Sequence, residues 1–237
     1  QMGMTAGDQV IEHPFGFANV VLGEGIYDLD NMADNMGKPF RTQDALMIKK
    51  YPCCGGNHAM LDSLFSLMRD NDFTYDDVAD AEIDQSYFSV VMLYQEPDDE
   101  LKGKFSAKYN VAAALIDGEV GIDTFTEEKI AEHADKNTMN KVRTRVMAKS
   151  EELLTESGNG LKVKITLKDG RVFEHVTARE DILGSQKNPW GFDAIKDKFQ
   201  ENVSRVLSAD GTAKAMGAWE NIPEMTDIAT AIRSTLV

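Results

Sequence analysis

Cysteine is nearly absent from this chain: its 237 residues hold two, Cys53 and Cys54, side by side. Neighbouring Cα atoms lie about 3.8 Å apart, below the usual disulfide range, so the pair predicts free thiols in a reducing compartment. Two thiols are also too few to hold a structural zinc ion or an iron–sulfur cluster. Long apolar runs are missing too. The longest clean one, Val111 to Ile116, falls far short of the roughly 20 residues of a membrane span. The opening Gln-Met-Gly-Met-Thr-Ala-Gly-Asp has neither a basic nor an apolar segment of a secretory signal, which makes a cytoplasmic protein the expectation. No G-x-G-x-x-G follows a strand, and G-x-x-x-x-G-K-[ST] and H-E-x-x-H do not occur. The four histidines, His13, His58, His133 and His175, are too scattered to form a recognisable metal site, so no metal is expected.

Positive charge is scarce: 25 Lys and Arg against 40 Asp and Glu give a net charge of −15. A field of that sign repels a phosphate backbone, which argues against nucleic-acid binding. Hydrophobic residues make up 42% of the chain and charged residues 27%, ordinary usage for a globular protein with a real core.

The patterning is helical at both ends and α+β between. Weak helical stretches surround Ile26–Met36. Ala45-Leu46-Met47-Ile48 reads as a short buried strand. Ala59–Arg69 spaces Leu61, Leu64, Phe65 and Met68 as an amphipathic helix does. Val78–Val91 alternates, with Ala81, Ile83 and Tyr87 on one side, and predicts a strand. Ser106 can cap a helix over Ala107–Ile116, which Asp117-Gly118 would stop, and Thr126-Glu127-Glu128 opens another. Leu161–Leu167 and Val172–Val176 alternate around Asp169-Gly170, a strong hairpin signal. Helical patterns return over Phe192–Leu207, Gly211–Trp219 and Met225–Leu236. Boundaries fall near residues 40 and 186. Glu132-His133 and His175 read as surface or strand residues.

Two segments carry chemistry. The first is Lys49-Lys50-Tyr51-Pro52-Cys53-Cys54-Gly55-Gly56-Asn57-His58, a turn leading into the amphipathic helix. The unsatisfied N–H groups of a helix start attract carboxylate or phosphate, and a lysine and a histidine beside them make a compact anion receptor with a titratable group. The same residues also read as a Gly-rich turn with solvated lysines and Asn57 as its cap. A Cys54–His58 nucleophilic pair lacks an orienting third group. The second segment, Lys104-Phe105-Ser106-Ala107-Lys108-Tyr109, gathers a cation, a hydroxyl and a phenol at another helix start. Its plain alternative is Ser106 as an N-cap and Tyr109 as a core residue.

Lys49-x-Tyr51-Pro52-Cys53-Cys54-x-x-x-His58-x-x-x-Asp62 resembles the central motif of the MmgE/PrpD family. Further segments match in the same order. They are Ile11-Glu12-x-Pro14-x-Gly16-Phe17; Lys104-Phe105-Ser106-x-x-Tyr109-x-Val111-Ala112 with Leu115-x-x-Gly118; and Asn188-Pro189 with Lys198-Phe199. The resemblance covers the C-terminal half of the family chain. It implies a cofactor-free lyase, of dehydratase or decarboxylase type, acting on a small di- or tricarboxylic acid. An epimerase of an imino- or amino-dicarboxylate on the same scaffold, or a non-catalytic carboxylate-binding remnant, are the other readings.

The implied architecture places residues 1–40 and 186–237 in an all-α bundle domain and 41–185 in a smaller α+β domain. A homodimer, or a complex with a chain supplying the N-terminal half, is implied as well. Carried over by position, Lys49, His58 and Tyr109 are the catalytic residues, and Lys49, Gly55, Gly56 and Ser106 bind substrate. Cut off from the rest of a bundle, the terminal helices are expected to expose apolar faces.

Overall fold

The computed structural model describes residues 5, 7–32, 34–39, 46–85, 94–134, 139–146, 160–178 and 181–235. Two compact units divide the chain, residues 1–46 and 47–237.

In the first unit, helix α1 (Phe17–Leu22) ends at Gly23, whose φ of 93° suits a residue without a Cβ. Phe17, Val20, Val21 and Leu22 on this helix are exposed. The helical pattern expected around Ile26–Met36 forms turns and bends instead among the described residues. Asp28 explains part of this: its carboxylate accepts the backbone N–H groups of Asp30 and Asn31, a local bond that competes with a helix.

The second unit is built on a four-stranded mixed sheet, ordered β2-β1-β3-β4. Its strands are β1 (Val78–Gln85), β2 (Val142–Val146), β3 (Gly160–Leu167) and β4 (Val172–Ala178). β1–β3 and β3–β4 are antiparallel, and β1–β2 is parallel. The hairpin forms where the sequence placed it, with Gly170 at φ 90° in its turn. Period-2 alternation then sorts the faces. Ala81, Ile83, Val142, Val163 and Ile165 point into the core. Asp80, Glu82, Arg143 and Lys164 lie on the other face and pair across strands, Arg143 with Asp80 at 2.7 Å and Lys164 with Glu82 at 3.2 Å.

Parallel pairing of β1 with β2 needs a crossover, which contains α3 (Glu100–Lys104), α4 (Ala107–Asp117) and α5 (Glu127–His133). Helix α2 (His58–Asn71) packs on β3 and β4 and against α4, and α4 packs on β2. Met60, Leu61 and Leu64 of α2 and Val111 to Ala114 of α4 are fully buried there. The Ser63 and Thr177 hydroxyls meet at 2.5 Å to pin α2 to β4, and Nδ1 of the exposed His175 lies 3.2 Å from each.

Caps match the sequence. Ser106 Oγ accepts the Tyr109 N–H at 3.1 Å, and Gly118 ends α4 with φ 72°. The chain closes with α6 (Phe192–Val203), α7 (Ala209–Glu220) and α8 (Ala229–Ser234). Phe192 and Ile232 are exposed on these helices, and Phe199 packs on Trp219.

Three further expectations need correcting. Residues 46–49 form no strand; the Ile48 N–H instead donates to the Gly184 carbonyl at 3.0 Å. Gly184 (φ 91°) comes so close that a Cβ there would collide with the Ile48 carbonyl oxygen. His133 is not a surface residue: it is buried, with Nε2 2.8 Å from Asp117 Oδ2. Asn57 stands at the N-cap position of α2 without capping it: its Nδ2 donates to the Lys104 carbonyl, and its Oδ1 accepts no helix N–H. Ala45, Tyr87 and Leu236, invoked in the strand and helix readings, lie outside the described residues. No helix among the described residues is long and apolar enough to cross a membrane.

Candidate functional site

Pro52 and the two glycines turn the chain sharply, and a single 3₁₀ turn over Gly55–Asn57 runs straight into α2. The turn is closed by its own neighbours. Lys49 Nζ donates to the Cys53 carbonyl at 3.0 Å, the Asn57 N–H donates to the Cys54 carbonyl at 2.9 Å, and Lys198 of α6 donates to the Lys49 carbonyl. The two helix starts singled out in the sequence meet at one atom. The Lys104 carbonyl accepts both the Cys54 N–H at 3.0 Å and the Asn57 side-chain amide at 3.2 Å. Lys49, Gly55, Gly56 and His58 are thereby brought beside the start of α4.

His58 lies beneath this turn with no exposed surface. Its ring stands edge-on to Tyr51, centroids 5.3 Å apart, and among the described residues neither ring nitrogen has a hydrogen-bond partner of good geometry. Burial lowers its pKa to about 4; nearby Asp62 and the Tyr51 backbone oppose that shift, while Lys49 and Lys198 add to it. At neutral pH the imidazole is therefore uncharged and able to accept a proton. Asn57 Oδ1 is a further buried polar atom with no hydrogen-bond partner among the described residues.

The thiols differ. Burial pushes Cys53 up to about 12, which keeps it a thiol, whereas Cys54 is half-buried. No bond joins Cys54 to the His58 ring.

Ser106 and Tyr109 are more deeply committed. Ser106 is buried, and its hydroxyl caps α4. Tyr109 is buried against Phe125, donates its hydroxyl to the Thr124 carbonyl at 2.5 Å, and has its pKa raised by burial and by Asp117. Neither that hydrogen bond nor that ring contact reaches Lys49 or His58. Among the described residues, no three His, Cys, Asp or Glu side chains gather as metal ligands would.

Residues given no site role in the sequence reading also shape the site. Asp62 accepts the Tyr51 hydroxyl at 2.9 Å and the Leu183 N–H at 3.3 Å, and pairs with Lys50 at 3.5 Å. Its place four residues after His58, on the same helix face, was the available signal. Asn110 ties α4 back to α3 through the Gly103 and Ser106 carbonyls, at 2.9 and 2.7 Å.

Comparison with known proteins adds an independent line. A family model described as the MmgE/PrpD C-terminal domain matches residues 51–221. Lys49 and Lys50 precede that stretch. The chain is 25% identical over 145 residues to a cis-aconitate decarboxylase of Mus musculus, covering 58% of this chain and 27% of that protein. It is 26% identical over 132 residues to a cis-aconitate decarboxylase of Homo sapiens, covering 55% and 26%. The chain thus spans about a quarter of the length of the curated relatives it matches.

Proposed function

The chain belongs to the MmgE/PrpD family, and we propose that it carries the lysine and histidine of a carbon–oxygen lyase site for a small di- or tricarboxylic acid. One observation carries this reading. A fully buried, neutral imidazole whose nitrogens have no well-formed hydrogen bond among the described residues lies under a turn whose lysine ammonium donates to the uncharged Cys53 carbonyl.

An arriving carboxylate would take Lys49 from that neutral acceptor, since it offers the ammonium a full opposite charge where the carbonyl offers only a dipole. The start of α2 at Gly55–His58 favours the same negative charge. Neutral His58 then removes the proton α to the carboxylate, the electron pair forms a carbon–carbon double bond, and the β-hydroxyl departs as water after protonation. Decarboxylation, the activity named for both relatives, would instead break the carbon–carbon bond to a carboxylate, release carbon dioxide and require a proton at the carbon left behind. Tyr109, with its hydroxyl on the Thr124 carbonyl, keeps its proton and shapes the wall near the second helix start. We assign Gly55, Gly56 and Ser106 to the anion-facing backbone of the two helix starts. The site in this reading is completed in a homodimer or by the remaining length of the relatives.

Incubation with C4 to C7 di- and tricarboxylic acids, followed by ultraviolet absorbance and carbon dioxide release, tests the reaction class. A conjugated product that is lost in Lys49→Ala and His58→Gln supports the lyase. Epimerised substrate with no double bond and no gas would overturn it in favour of an epimerase.

A further inference from the structure

A concave site lies beside the same loop. Lys50, Tyr51, Phe65, Val120, Trp190 and Lys198 line an open cleft of about 460 Å³, a volume typical of small-molecule sites. Lys49, His58, Ser106 and Tyr109 do not line it. Its floor is the stacked pair Tyr51 and Phe65, with centroids 5.9 Å apart and planes at 30°; Trp190 contributes indole surface.

The two ammonium groups in the cleft are unequal. Lys50 lies 4.9 Å over the Tyr51 ring and is already paired with Asp62. Lys198 lies 5.8 Å over Trp190, and its hydrogen bond goes to the uncharged Lys49 carbonyl. Among the described residues no carboxylate is within ion-pair distance of Lys198. Partial burial holds its pKa below the usual lysine range; the nearby Glu201 carboxylate opposes that shift and the Lys49 charge adds to it. Three carboxylates also border the cleft, Glu119, Asp197 and Glu201, and all three are solvent-exposed. The positive charge therefore lies at half-buried positions beside aromatic rings, and negative charge faces water.

We propose that this cleft binds a monocarboxylate with a flat apolar body, its carboxylate on Lys198 and its body against Trp190 and the Tyr51–Phe65 pair. The exposed acids repel a second carboxylate, so the cleft selects against the di- and tricarboxylic acids assigned to the Lys49 site. The inference stands without the lyase reading, because neither Lys49 nor His58 lines the cleft.

The chain has two tryptophans, so Trp219→Phe leaves Trp190 as the sole indole reporter. Phenylacetate is the probe, phenylacetamide its neutral counterpart, and homophthalate its analogue with a second carboxylate. The expected result is a saturable change in Trp190 emission with phenylacetate, and binding about tenfold or more weaker for the other two, the scale of one charge-assisted bond. Lys198→Met should weaken phenylacetate about tenfold, Lys198→Arg should hold it within a few-fold, and Glu201→Gln should tighten it. An unsaturable response, unchanged affinity in a folded Lys198→Met, or homophthalate binding as tightly as phenylacetate each overturns the proposal. Should Lys198→Met lose its circular dichroism, the comparison of the three probes and the Glu201→Gln variant decide alone.

Discussion

The Tyr51 hydroxyl donates to Oδ1 of Asp62 at 2.9 Å, across eleven residues, and so ties the Lys49-bearing loop to the second turn of α2. The same carboxylate holds Lys50 and the Leu183 N–H, so three segments converge on one side chain. Burial and Asp62 raise the Tyr51 pKa, which keeps the phenol a donor throughout the physiological range.

Removing that carboxylate should loosen the loop more than the helix. Asp62→Ala leaves a buried phenol and a backbone N–H without an acceptor, a loss of about 2–3 kcal/mol. Urea unfolding should show a lower midpoint with an unchanged slope. Tyr51→Phe should lose about 1 kcal/mol, and no added loss should follow when it is combined with Asp62→Ala at that bond.

The two thiols should separate cleanly under alkylation. Iodoacetamide near pH 8 should label Cys54 in the native chain, while Cys53, buried and with its pKa pushed up to about 12, waits for unfolding. Peptide mass spectrometry reads both sites, and equal native rates would contradict the burial.

Acid should destabilise the fold through His58. Its unfolded imidazole takes a proton near pH 6.5, whereas the folded one resists until about 4. The unfolded chain therefore binds more protons in that window, and stability falls as pH drops from 6.5 towards 4. The full effect is about 3 kcal/mol below pH 4. Urea unfolding at a series of pH values should show this slope, and His58→Gln should flatten it.

A methyl group at Gly184 should be costly. Its positive φ and the Ile48 carbonyl oxygen, which already occupies the space a Cβ would take, both oppose it, and both are backbone features that cannot turn aside. Gly184→Ala should lose at least about 2 kcal/mol and lower the thermal midpoint. Gly191→Ala, where a Cβ meets nothing within 4 Å, is the mild control.

Legibility followed the range of the interactions. The β3–β4 hairpin, α2 and the Ser106 cap rest on neighbours within a few residues, so alternation, spacing and turn chemistry revealed them. Val142–Val146 also alternates, with Val142 buried and Arg143 exposed, but as a short strand its parallel pairing with β1 depends on a crossover that no local signal marks. Leu46–Ile48 looked like a strand because it is apolar, yet its hydrogen-bond partner is a glycine far along the chain. At the site, Lys49 and His58 could be read from one segment. The Lys198 bond to the Lys49 carbonyl and the Leu183 bond to Asp62 each span more than a hundred residues, and only folding brings them together.

Titration with cis-aconitate, the acid in the names of both relatives, followed by the imidazole NMR signals of His58, tests the Lys49 site most directly. Saturable shifts of the His58 signals that vanish in Lys49→Ala are the predicted result. Shifts of equal affinity in Lys49→Ala, or no response from His58 at saturating acid, would contradict the assignment of this turn as the carboxylate site.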